Sequence, residues 1–192
     1  MREAKVRRKT REVEVSVSLR LDGKGEGKVD AGIKFFNHLL ETVAKHALLD
    51  LEVKASGDLP HHLVEDVGLA IGSAISEALG AREGIKRFGH AYVAMDEALA
   101  RAVVDLSGRP YAKVDLKVGG GLVEDMKAED AAHFFRSLAQ ASKLTLHMDV
   151  IRGENAHHKL EAAAKSFALA LKEAASKEGR LKGRVPSAKG VL

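Results

Sequence analysis

Two five-residue runs carry the chemistry of this sequence. His61-His62-Leu63-Val64-Glu65 and His157-His158-Lys159-Leu160-Glu161 share the form His-His-x-x-Glu, and each opens a stretch with helical apolar periodicity. Residues four apart share a helix face, whereas neighbours point about 100° apart. His61 and Glu65 can therefore clamp one cation while His62 looks elsewhere. His157, Glu161 and His158 repeat that geometry. His38 precedes His61 by 23 residues, and His133 precedes His157 by 24. Six of the nine histidines thus fall into one duplicated pattern. The competing explanation is that exposed helix starts collect polar residues, with Glu favoured by the N-terminal dipole. Repetition of five residues at matched spacing argues against it.

Symmetry then assigns two metal sites. One takes His61, Glu65, His133 and His158; the other takes His157, Glu161, His38 and His62. Imidazole and carboxylate ligands suit manganese, iron, zinc or nickel and suit calcium poorly. An octahedral ion keeps positions open for water or substrate. His46, two turns beyond His38, either touches a ligand or places a favourable charge at its helix C-terminus. His90 and His147 lie in strand-like segments and read as structural.

The elements that must position these groups also come in two rounds. Val13, Val15, Val17, Leu19 and Leu21 alternate with polar residues, a strand with one buried face. Asp22-Gly23 predicts a hairpin turn, with 25–31 returning as a strand. Ile33 to Ala47 predicts a helix carrying His38; Leu49, Leu51 and Val53 predict a strand. Pro60 suits the first turn of a helix over 61–79. The second round has strands within 88–106, a Ser107-Gly108 turn and a returning strand over 110–118. A flexible Gly119-Gly120-Gly121 connection follows, then a helix over 128–142 with His133. A strand over 144–150 and a helix over 157–177 complete it. Both rounds read strands–helix–strand–helix, a duplication. Aligning Phe35-Phe36 with Phe134-Phe135 sets His38 opposite Ser137, one helical turn from His133. Each round is small for a core of its own, so the helical faces are expected to pack together.

Composition narrows the setting. The chain has 192 residues, 45% apolar and 30% charged, ordinary for a globular protein. No apolar run approaches the roughly 20 residues of a membrane span. The start is basic and lacks a signal-peptide core, so a cytoplasmic protein is expected. There is no cysteine, which excludes disulfides and thiolate metal sites. Arg2, Lys5, Arg7, Arg8, Lys9 and Arg11 read as a solvated edge strand rather than a nucleic-acid arm. The interleaved aromatics of single-strand binders are missing.

The sequence resembles the imidazoleglycerol-phosphate dehydratase family of histidine biosynthesis along nearly its whole length. The resemblance rests on Phe35-Phe36-Asn37-His38, His61 to Asp66, Arg87-Phe88-Gly89, Met95 to Leu99, Asp105 to Pro110, His133-Phe134-Phe135, the His157–Glu161 run and Pro186 to Gly190. It departs from the family in a shorter approach to His61, in Asn37 and in Ala188. The resemblance implies an α+β fold like ribosomal protein S5 domain 2. In that fold duplicated halves pack their helices between two mixed four-stranded sheets. It implies one domain over 1–192, with pseudo-repeats 1–84 and 85–178 and a substrate-binding tail, 179–192. It also implies two manganese ions per active site, held by the eight ligands above, and a 24-subunit shell with its sites between subunits. Substrate contacts carried over by motif are Glu12, His38, His46, His61, His62, Glu65, Arg87, Arg109, His157, His158, Glu161, Lys165, Ser187 and Lys189. Of these, Arg87, Arg109, Ser187 and Lys189 match positions that hold a phosphate.

The implied reaction removes water from a phosphorylated imidazole diol. No carbonyl neighbours the C–H that must break, so the ring has to supply the electron push. Metal at the ring nitrogens favours the ring's anionic form. A carboxylate must then take the proton. Glu12 is the expected base, with Asp96 or Glu97 as substitutes. Competing functions are a dinuclear phosphate-ester hydrolase, a metal-storage protein and, last, a nucleic-acid module. A mostly histidine ligand set disfavours the first. Arg87, Arg109 and Lys189 together disfavour the second.

Overall fold

The computed structural model describes all of residues 1–192. Strands β1 (Glu3–Lys9), β2 (Val13–Arg20), β3 (Gly27–Asp30) and β4 (Asp50–Gly57) form one sheet, in the order β1-β2-β4-β3. Helices α1 (Lys34–Ala47) and α2 (Pro60–Leu79) belong to the same half. The second half has β5 (Phe88–Met95), β6 (Ala98–Asp105), β7 (Tyr111–Asp115), a small hairpin β8 (Leu122–Val123) and β9 (Met126–Lys127), α3 (Ala128–Ser142), β10 (Thr145–Arg152) and α4 (Ala156–Ala175). Its sheet runs β5-β6-β10-β7, the same order once the hairpin is set aside. The mixed α+β architecture expected from the sequence is therefore what is seen. No helix is long and apolar enough to cross a membrane.

Two turns differ from the sequence expectation. Asp22-Gly23 does not close a hairpin: β3 pairs in parallel with β4, and β2 pairs antiparallel with β4. Likewise β7 pairs in parallel with β10 rather than returning against β6. Parallel neighbours need a crossover, and α1 and α3 supply it. Gly23 is required for another reason. A Cβ there would sit 2.4 Å from the Asp50 backbone nitrogen. The Asp50 carboxylate stitches this loop by accepting from the Lys24 and Glu26 N–H groups at 2.7 and 3.1 Å. The segment after the glycine run is likewise no plain linker, since β8 and β9 pair there.

The helices lie between the sheets. β2 turns Val13, Val15, Val17 and Leu19 inward, all at most 3% exposed, and α2 covers them with Leu63, Val64, Val67 and Ile71. α4 covers β5 and β6 in the same way. Each remaining helix crosses to the other half: α3 packs on α2, and α1 packs on α4. The duplicated phenylalanines meet in the middle, Phe36 edge-to-face with Phe134 at 5.1 Å. This cross-packing lets a histidine of one half reach a carboxylate of the other.

Candidate metal centre

His61 and Glu65 stand on the first turns of α2, His133 on α3. Their ligand atoms lie within 4.8 Å of one another. The close approach of α2 and α3 makes this possible. Alanine at Gly72 would place a Cβ 2.5 Å from the Leu138 carbonyl oxygen, and at Gly68 3.0 Å from that of Phe134. The His61 and His133 rings stack at 4.7 Å. His133 Nε2 lies 3.2 Å from Glu65 Oε2, yet the geometry is not that of a hydrogen bond and this buried nitrogen has no other partner.

A second group forms from α1 and α4. His38, His157 and Glu161 also offer ligand atoms within 4.8 Å. Glu161 Oε2 sits 3.2 Å from His157 Nε2 and 3.5 Å from His38 Nε2, while Lys165 Nζ holds Oε1 at 2.8 Å. Burial pushes the Glu161 carboxyl up, but the Lys165 hydrogen bond and charge, with His38 beside them, outweigh it and keep the group below the usual range. His46 is lowered by burial first and by the Lys165 charge second.

His62 and His158 belong to neither group; His62 forms a third cluster with Glu12 and Asp58, whose ligand atoms also lie within 4.8 Å of one another. His62 Nδ1 lies 3.0 Å from Asp58 and 3.6 Å from Glu12; His158 Nδ1 lies 2.7 Å from Glu97, with Asp96 3.7 Å from its Nε2. Hydrogen bonding to Asp58 and to Glu97 raises the two histidines, respectively. Glu97 is lowered to about 2, chiefly by His158 and then by the N–H groups of Asn155 and Glu154. A carboxylate held so far down is a weak base. Glu12 occupies the turn before β2, not the strand itself, and its carbonyl accepts from Asp58 N–H at 3.0 Å. The short approach to α2 thus brings Asp58 one helical turn ahead of His62.

The residues expected to hold a phosphate lie elsewhere. Arg87 donates to Asp105 at 2.7 and 3.1 Å and to the Pro186 carbonyl at 2.9 Å, which draws the tail with Ser187 and Lys189 toward it. Arg109 folds back on the Ser107 carbonyl at 3.4 Å. Arg87 N–H bonds to Ala174 at the far end of α4 from His158.

The donor set fits a divalent transition metal on structural grounds. Two imidazoles and one carboxylate converge in each group, one ring nitrogen is buried without a partner, and four rings have Nδ1 against a carboxylate: His61 on Asp130, His62 on Asp58, His157 on Glu124 and His158 on Glu97. That arrangement turns Nε2 to the other side of each ring, for His157 toward Glu161 at 3.2 Å, the usual orientation of a ligating histidine. Sequence reasoning missed Asp130, Asp58 and Glu124, and read Glu97 as a substitute base. Only Asp58, four residues before His62, carried a readable signal. The others arrive from remote segments.

Comparison with known proteins points to one family. Residues 31–171 match the family model described as Imidazoleglycerol-phosphate dehydratase. Relatives of that name include those of Chlorobium luteolum, 48% identical over all of this chain and 96% of its own length, and Albidiferax ferrireducens, 44% identical over all of this chain and 95% of its own. Among solved structures, the Staphylococcus aureus enzyme superposes with a TM-score of 0.84 at 35% identity, covering 92% of this chain and 99% of its own. That of Pyrococcus furiosus gives 0.85 at 35%, covering 97% and 100%.

Proposed function

The chain belongs to the imidazoleglycerol-phosphate dehydratase family, and from that premise we propose a two-manganese active site assembled between copies of it. The activity is that of a hydro-lyase. Water leaves D-erythro-imidazole glycerol phosphate to give imidazole acetol phosphate, a step of L-histidine biosynthesis. The phosphate-ester hydrolase alternative is not favoured by this membership.

One observation carries the proposal. Of the chain's three clusters of possible ligands, two pair two histidines with one carboxylate, and the histidines needed to complete them, His62 and His158, point elsewhere, His62 toward Asp58 and Glu12 and His158 toward Glu97. Site one is then His61, Glu65 and His133 with His158 of another copy; site two is His38, His157 and Glu161 with His62 of another copy. The phosphate residues support the same reading. From Glu161 to Ala174 along α4 is about 20 Å at ~1.5 Å per residue. The substrate spans less than roughly 10 Å by bond lengths, which supports ring and phosphate being held by different copies. The outer face of the second sheet also exposes Phe88, Tyr92, Val103 and Tyr111, suited to burial by further copies in a 24-subunit shell.

Manganese at the ring nitrogens, when bound, supplies the electrostatic support that lets the ring carry negative charge. The protein does the rest. Glu12, exposed and not tied down as Glu97 is, takes the proton from the carbon next to the departing hydroxyl. His46 and Lys165, adjoining Glu161, contact the substrate beside site two. Arg87 and Arg109 fork onto phosphate oxygens while Ser187 donates to them and Lys189 adds a point charge. The pseudo-repeats, 1–84 and 85–178, form one domain, and the 179–192 tail delivers Ser187 and Lys189. The cytoplasm is the proposed location.

The test measures three quantities on one preparation: manganese per chain, particle mass by light scattering, and dehydration of imidazole glycerol phosphate. Two ions per chain, a mass near 24 chains and metal-dependent turnover are expected. Full turnover by His62→Ala or His158→Ala protein overturns shared sites. Full activity with no manganese taken up overturns the metal.

A further inference from the structure

Asp130 is the one carboxylate behind a histidine that is wholly buried, at 1% exposure. It stands in the first turn of α3, where its charge favours the helix N-terminus. That role alone leaves its orientation unexplained. Its Oδ1 lies 2.7 Å from Nδ1 of His61, which comes from the other half of the chain, and its Oδ2 is buried with no partner. A buried acid this poorly satisfied is costly unless it serves another group.

We propose that Asp130 is a positioning residue for the His61 metal ligand. A carboxylate accepts hydrogen bonds only, so His61 Nδ1 must carry the proton, and Nε2 is left as the ring nitrogen with a lone pair to offer a metal alongside Glu65 and His133. Asp130 thereby selects the ligating tautomer and fixes the ring before any ion arrives. The opposite group lacks such a device. His157 Nδ1 leans on Glu124, which is 59% exposed on the tip of the β8–β9 hairpin, at 3.1 Å. Site one is the pre-organised site of the two, and Asp130 makes it so. This rests on the two-metal reading and adds an unequal affinity within it.

The experiment is a manganese-binding titration of the assembled protein by equilibrium dialysis, carried out on the parent, Asp130→Ala, Asp130→Asn, His61→Ala and the His61→Ala/Asp130→Ala double variant. The parent is expected to bind two ions per chain in two classes. Asp130→Ala should weaken the tighter class about 10–100-fold and leave the other unmoved. Asp130→Asn, which keeps the shape and an acceptor, should lose less and serves if the alanine variant does not fold. In the His61→Ala background, which keeps one ion per chain, removing Asp130 should leave the affinity for that ion unchanged, because its effect passes through the His61 ring. Equal weakening of both classes, an undiminished Asp130 effect without His61, or no change at all overturns the role. A parent that binds two ions while Asp130→Ala and Asp130→Asn bind them equally well sinks this inference alone. A parent that binds none sinks the metal reading and Asp130's role with it.

Discussion

The two ligand groups are built from the same residue types, each around a His–Glu pair four residues apart, yet their surroundings differ. His61, Glu65 and His133 sit where α2 and α3 touch through Gly68 and Gly72, with a buried acid behind one ring. His38, His157 and Glu161 sit where α1 meets α4 without such glycines. Their carboxylate is shared with Lys165, and the acid behind His157 comes from an exposed hairpin. Duplication copied the ligands; it did not copy their supports. The same holds for the outer pair. His62 and His158 each face a glutamate from the preceding β-turn, Glu12 and Glu97, but Glu97 is held by two backbone N–H groups as well. Glu12 is left available. Equivalent positions have thereby become a free carboxylate on one side and a tied-down one on the other.

The largest expected effect tests whether both groups are needed. His61→Ala and His157→Ala should each remove one manganese per chain and take turnover to background, as should chelation of the parent. Retained activity in either variant would make one group dispensable. Next, Glu12→Gln should cut kcat by about 10²–10⁴-fold with metal content unchanged, whereas Glu97→Gln should weaken manganese binding about 10–100-fold. A reversed pattern in steady-state kinetics and metal titration would exchange the two roles. Gly72→Ala should destabilise the protein by about 1–3 kcal/mol, because the added methyl meets a backbone oxygen of α3. Denaturant unfolding measures that cost, and the metal lost first should be that of site one.

The smallest effect is a pH dependence of the metal-free protein. His158 is raised by Glu97, so its contribution is complete below its unfolded value and is lost as pH rises through the folded one. Glu97 is lowered to about 2, so its contribution is complete above its unfolded value, 4.5, and is lost as pH falls through about 2. The pair therefore stabilises most between 4.5 and 6.5. Glu97→Gln should flatten that window in thermal melts across pH.

Much of this was legible in local pattern. Period-two alternation marks β2, and the twin His-His-x-x-Glu runs mark the ligand-bearing ends of α2 and α4, because side-chain direction along a regular element depends on spacing alone. The basic start is indeed an edge strand, β1, whose Arg7 and Lys9 pair with Glu14 on β2. Strand order was not legible. Asp22-Gly23 and Ser107-Gly108 look like hairpin turns, and only the crossover helices show that the following strands pair in parallel elsewhere.

By itself the sequence determined the element types, the duplication and the candidate ligands, since these follow from residue identity and short-range spacing. Only the tertiary structure decided which two histidines turn away from the groups of their own chain and which acids stand behind the rings. Asp130 and His61 are 69 residues apart and meet because α3 crosses onto α2. Such a meeting depends on how helices pack across the whole core.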